Sequence, residues 1–114
     1  MRNQQNNAPV HPGKVLMDDF LAPLRLSQTR VARTVGVPPR RINEIVLGKR
    51  GITPDTALRL GRFFGNGPAF WMNLQARHDL KVERDKLGPE LRRIAPLGAF
   101  LLDPIPRPAR SREG

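Results

Sequence analysis

The chain has 114 residues and no cysteine, which leaves room for one small domain and excludes a two-domain enzyme, disulfides, thiolate catalysis and zinc sites of the cysteine type. Hydrophobic residues make up 39%, with five Phe, one Trp and no Tyr, enough for one mainly aliphatic core. Twenty Lys and Arg against ten Asp and Glu give a net charge of +10, an excess that attracts polyanions and above all nucleic acid.

Taken in chain order, residues 1–10 are rich in Gln and Asn and are expected to form a flexible polar arm. The opening MRNQQNNAPVHP lacks the apolar run of a secretory leader, and no apolar stretch approaches the ~20 residues that span a bilayer. A cytoplasmic location without membrane association is therefore expected. Val15, Leu16, Phe20 and Leu21 recur at helical spacing, predicting a first helix over 13–21 that stops before Pro23. Ser27 is a candidate N-cap for a second helix over 28–35, with Val31, Ala32 and Val35 on one face and Gly36 as a left-handed stop. Pro39 suits the first position of a third helix, with Ile42, Ile45 and Val46 as its buried stripe and Gly48 as its end. Pro38, in place of a capping side chain, reads as part of a rigid turn.

Lys49 to Ile52 is a basic loop, after which Thr53 caps a fourth helix that carries Ala57, Leu60, Phe63 and Phe64 and ends at Phe64. Pro68 starts a long fifth helix reaching about Leu87, with Phe70, Trp71 and Leu74 for the core. A short helical piece is expected at 90–95. From Gly98 onward alternate prolines and arginines predict an extended, disordered tail over 98–114. No segment alternates with the period of two that a strand requires, so the fold class is all-α.

A tight connection between the second and third helices suggests a helix-turn-helix, with small Ala32 where the two helices cross. Charge is concentrated there. Residues 27–67 hold Arg30, Arg33, Arg40, Arg41, Lys49, Arg50, Arg59 and Arg62 against Glu44 and Asp55, so +6 of the +10 falls in this segment. With Ile42, Ile45 and Val46 facing the core, Arg40, Arg41, Asn43 and Glu44 fall on or beside the outer face near the helix N-terminus, the end that enters a major groove. Arg matches guanine, Asn matches adenine and Glu accepts from cytosine, so these four are the candidate base readers. Gln28, Arg33, Lys49, Arg50 and Thr53 flank them as candidate phosphate contacts. Singly, each also reads as ordinary solvated surface, and Glu44 as a partner for a neighbouring Arg.

The stretch from His11 to Leu80, above all HPG, INEIVLGKRGITPDTALRLGRFFG and FWMNLQARHDL, resembles the HigA family of addiction-module antitoxins, members of the lambda-repressor-like helix-turn-helix group. The resemblance covers about residues 11–97. It implies a five-helix DNA-binding domain between the arm and the tail, and a homodimer that represses its own operon at double-stranded operator DNA. It also implies a HigB-type partner toxin, an mRNA interferase of the RelE-like class. His78 departs from the Tyr more usual in the family, a difference expected to touch only local packing. Because the family's toxins are usually basic, the toxin is expected to dock away from the cationic helix, at Asp18 and Asp19 or at Asp79, Glu83 and Asp85.

Catalysis has little support. The only serines are Ser27 and Ser111 and the only histidines His11 and His78, with no converging acid, base or nucleophile. The expectation is a non-enzyme with no cofactor and no metal, in which His11 is a loop residue. The alternative reading is a stand-alone helix-turn-helix regulator with no toxin partner.

Overall fold

The computed structural model describes residues 10–100. The arm expected at 1–10, apart from Val10, and the tail expected beyond Gly98, apart from its first residues, lie outside the described residues. No strand occurs among those described. They fall into two compact units that divide after Glu83.

The first helix comprises α1 (Pro12–Val15), a π-helical turn (Leu16–Leu21) and α2 (Ala22–Leu24) in direct succession. It therefore runs beyond Leu21, where a stop before Pro23 was expected. Pro23 follows directly on the π-helical turn, where Ala22 N–H reaches back five residues to Met17 O, and the helix continues past it although it has no N–H to donate. The helix ends instead at Arg25, whose left-handed φ of 57° is unusual for a residue with a Cβ. Leu26 N–H closes that end on Leu21 O at 2.9 Å.

The remaining helices of the first unit are α3 (Gln28–Val35), α4 (Pro39–Val46), α5 (Pro54–Phe64) and α6 (Pro68–Leu87), the last of which runs past the division between units. Ser27 Oγ accepts from Arg30 N–H at 3.0 Å and Thr53 Oγ1 from Thr56 N–H at 3.4 Å, so two helix starts are encoded by local side-chain chemistry. Leu16, Leu21, Val31, Ile42, Ile45, Leu60 and Trp71 are buried and form one cluster. Trp71 is fully enclosed, and its Nε1–H donates to Asn66 Oδ1 at 3.1 Å in the turn before α6. Phe20 lies 4.8 Å from Phe64 and 5.1 Å from Trp71 by ring centroids, which ties the first helix to α5 and α6. Phe63 and Phe70, expected among core positions, sit at the border with more than a third of their surface exposed.

Gly13 allows α1 to lie against the end of α4. A Cβ there would collide with the backbone carbonyl of Ile45. His11, expected in a loop, is the N-cap of α1, with Nδ1 accepting from Gly13 N–H at 2.9 Å. Its ring packs edge-on against that of His78, 4.9 Å away. The loop after α4 is held in a similar way, since Ile52 N–H donates to Gln75 Oε1 of α6 at 2.6 Å. The second unit contains α7 (Pro89–Arg92), shorter than the helical piece expected at 90–95, and a 3₁₀ turn (Leu97–Phe100).

Candidate nucleic-acid interface

The chain reverses between α3 and α4 at Gly36, Val37 and Pro38. Gly36 takes a left-handed φ of 82°, and both Gly36 N–H and Val37 N–H donate to Ala32 O at 2.9 Å. Val37 is buried beside fully buried Ala32, so the turn is anchored in the core. Pro38 has extended geometry and no capping side chain; its carbonyl accepts from Arg41 N–H at 2.9 Å and closes the first turn of α4. The far end of α4 closes with Lys49 N–H on Glu44 O at 2.8 Å and Gly48 N–H on Ile45 O at 3.0 Å, the paired bonds of a Schellman stop. Helix α4 is thus held at both ends and along its Ile42–Ile45 stripe, and presents its opposite face to solvent.

On that face Arg40 is widely open, with 85% of its side chain exposed. Asn43 is exposed, and its Nδ2 donates to Gln28 Oε1 at 3.2 Å, joining the faces of α4 and α3. Glu44 is more enclosed and has both oxygens engaged. Oε2 accepts from Arg40 Nε at 2.9 Å and Oε1 from Arg50 Nε at 2.9 Å. The Arg40 guanidinium first, and that of Arg50 second, hold the Glu44 carboxyl below the usual carboxylate range.

Arg41 is turned elsewhere. Its side chain is 31% exposed and points Nη1 at Asp55 Oδ1, 3.5 Å away in the first turn of α5. The same Asp55 oxygen accepts from Arg59 Nε at 2.7 Å, and Arg59 Nη1 donates to Val35 O at 2.7 Å at the end of α3. These groups border a polar cleft of about 390 Å³ shared by Gly36, Arg41, Arg50, Thr53 and Asp55. Of the expected phosphate contacts, Gln28 is taken up with Asn43, Arg50 with Glu44, and Thr53 with the cap of α5. Arg33 and Lys49 are exposed and pair with no carboxylate among the described residues.

Asp55 and Arg59 were not expected at this face. Their spacing of four within one helix signals the pair itself, whereas the reach of Arg59 to the turn has no local signal. Leu47 was also missed. It is 56% exposed and follows Asn43 by one turn at the end of α4, where an apolar side chain suits a thymine methyl.

The acidic residues expected to meet a toxin lie on different elements. Asp18 and Asp19 are on the π-helical turn, where Asp18 pairs with Lys14 at 2.8 Å. Asp79 and Glu83 are on α6, where Asp79 accepts from Gln75 Nε2 at 2.9 Å, and Asp85 belongs to the second unit. No group of three or more metal-ligating side chains occurs among the described residues, and no helix there is long and apolar enough to cross a membrane.

The helix-turn-helix family pattern matches residues 19–71, from the middle of the π-helical turn to Trp71. Virulence-associated protein I of Dichelobacter nodosus is 49% identical over 84 residues, covering 72% of this chain and 78% of its own. The solved structure of Pseudomonas aeruginosa antitoxin HigA with the higBA promoter is similar with a TM-score of 0.74 and 40% identity, covering 78% of this chain and 98% of that one. A HigA-family addiction-module antidote protein from Coxiella burnetii follows with a TM-score of 0.73 and 38% identity, over 77% and 97% of the two chains. On this evidence of sequence and fold together, the chain belongs to the HigA family of lambda-repressor-like helix-turn-helix antitoxins.

Proposed function

We propose that this protein is the antitoxin of a type II toxin-antitoxin module. In this reading it is a cytoplasmic, non-enzymatic homodimer that represses its own operon and neutralises a HigB/RelE-like mRNA interferase. The observation that carries the reading is the open face of α4, with Arg40 and Asn43 presented from a cationic segment, in a chain 40% identical to a HigA solved with its promoter. Base reading falls to Arg40 and Asn43, with Glu44 and Arg41 beside them. Gln28, Arg33, Lys49, Arg50 and Thr53 supply phosphate contacts.

A dimer follows from the chemistry of reading. One short helix covers too few base pairs for specificity, and two such helices set one turn of DNA apart, roughly 34 to 36 Å, double the site. The toxin docks on an acidic part of the surface, at Asp18 and Asp19 or at Asp79, Glu83 and Asp85, because a basic toxin is repelled by the α4 face. Co-expression with the product of the neighbouring reading frame tests the function. The expected result is a stable complex and relief of growth arrest. A harmless neighbour that forms no complex, with binding to the upstream DNA retained, would establish the stand-alone regulator instead.

A further inference from the structure

The acidic side chain in the middle of the α4 face has a role that base chemistry alone does not assign. Glu44 offers two oxygens, and both are committed to arginines from different segments. Oε2 takes Nε of Arg40, at 2.9 Å. Oε1 takes Nε and Nη2 of Arg50, both at 2.9 Å. A guanidinium has five N–H groups, so each arginine, held from its Nε side, keeps its terminal fork, and the two differ instead in place and exposure. Arg40 carries its fork on α4 itself, on a side chain that is 85% exposed, while Arg50 lies in the loop after α4, is gripped through two nitrogens and is 47% exposed. A fork that projects from the helix face matches O6 and N7 of guanine, whereas one held closer in at the border of that face suits a phosphate.

We infer that Glu44 is a positioning residue for DNA recognition: it presents Arg40 as a guanine-reading fork, restrains Arg50 to a phosphate contact, and keeps Arg40 from settling unselectively on the DNA backbone. This rests on the proposed DNA binding and deepens it. The geometry explains why a carboxylate sits on a face meant for a polyanion. Its charge repels phosphates, so it weakens contact with any duplex, and the gain is selectivity between duplexes. Glu44 therefore acts through its two arginines, and its own oxygens are not free to accept from cytosine.

The test uses the full chain with two probes, a duplex of the DNA upstream of its own coding sequence and a scrambled duplex of the same composition. Affinities are measured across a salt series for wild type, Glu44→Gln and Glu44→Asp, with melting temperatures to establish that each variant is folded. For Glu44→Gln the scrambled duplex binds more tightly, and the ratio of upstream to scrambled affinity falls about tenfold, the discrimination that one bidentate base contact supplies. The slope of log K against log salt steepens by about 0.9 on the scrambled duplex as the released Arg40 reaches a phosphate. Glu44→Asp keeps the charge on a side chain one methylene shorter that cannot hold both arginines, so the ratio falls while scrambled binding stays near wild type. An unchanged ratio in Glu44→Gln, or wild-type behaviour in Glu44→Asp, overturns the inference. A wild type that binds neither duplex overturns the DNA-binding reading itself.

Discussion

His11 shows how one side chain serves two purposes. Its Nδ1 accepts the Gly13 N–H, which only an unprotonated nitrogen does, and its ring meets that of His78 edge-on. Burial first, and the neighbouring His78 second, lower its pKa from the usual 6.5, with Asp79 opposing them. A histidine held neutral in the fold stabilises it fully above 6.5, and that contribution is lost as pH falls from there through the lowered folded value. The melting temperature should therefore fall on acidification, and His11→Asn, which still caps a helix, should show a smaller fall. Matching pH profiles for the two proteins would dissociate His11 from this effect. Ala32 is the second telling residue, fully buried where its carbonyl receives both donors of the turn. Ala32→Leu should cost about 1 to 3 kcal/mol by overpacking, seen as a lower denaturation midpoint together with weaker DNA binding. An unchanged midpoint would place Ala32 away from the crossing.

Within α4, neighbouring residues are expected to divide by task. Asn43→Ala should relax base preference at one position and cost about 1 to 3 kcal/mol on the upstream DNA. Lys49→Ala should weaken every duplex alike, since a phosphate contact carries no sequence information. Arg41 falls outside both groups because it leans on Asp55 rather than outward. Arg41→Ala should leave the preference between duplexes intact and cost only the ~0.2 to 1 kcal/mol of an exposed pair, read from denaturant titration beside competition binding. A loss of base preference equal to that of Asn43→Ala would show that Arg41 swings into the groove. The adjacent elements bear on this division. Helix α5 reaches the turn through Arg59 on Val35 O, and α6 holds the loop after α4 through Gln75, so two further helices brace the two ends of α4.

Across the whole molecule, positive charge is gathered around the helix-turn-helix and the carboxylates proposed for the toxin lie on other elements. Two surfaces should then be separable. Arg40→Ala combined with Asn43→Ala should abolish repression of the upstream promoter while leaving rescue from the toxin intact when the antitoxin is supplied from an unrelated promoter. Loss of both activities in a folded variant would mean that one surface serves both roles. The same distribution of charge predicts that log K for DNA falls with log salt by about 0.9 for each phosphate neutralised, and a flat response would argue against backbone contacts as the main source of affinity.

What the sequence by itself determined is what depends on neighbours along the chain. Ser27 and Thr53 mark helix starts, Gly36 and Gly48 mark stops, and the i,i+4 spacing of Arg40 with Glu44 and of Asp55 with Arg59 places each pair on one helix face. Where local signals were ambiguous the reading fell short. Pro23 looked like a stop but is tolerated directly after the π-helical turn, and Arg25 closes the helix where no glycine marks an end. Tertiary structure alone decided the contacts between distant residues: Asn43 with Gln28, Arg41 with Asp55, Arg59 with Val35, and His11 with His78. Periodicity places a side chain on a face. Which partner it meets depends on the angle and separation at which helices cross, and these are set jointly by Ala32, Gly13 and the shared core around Trp71.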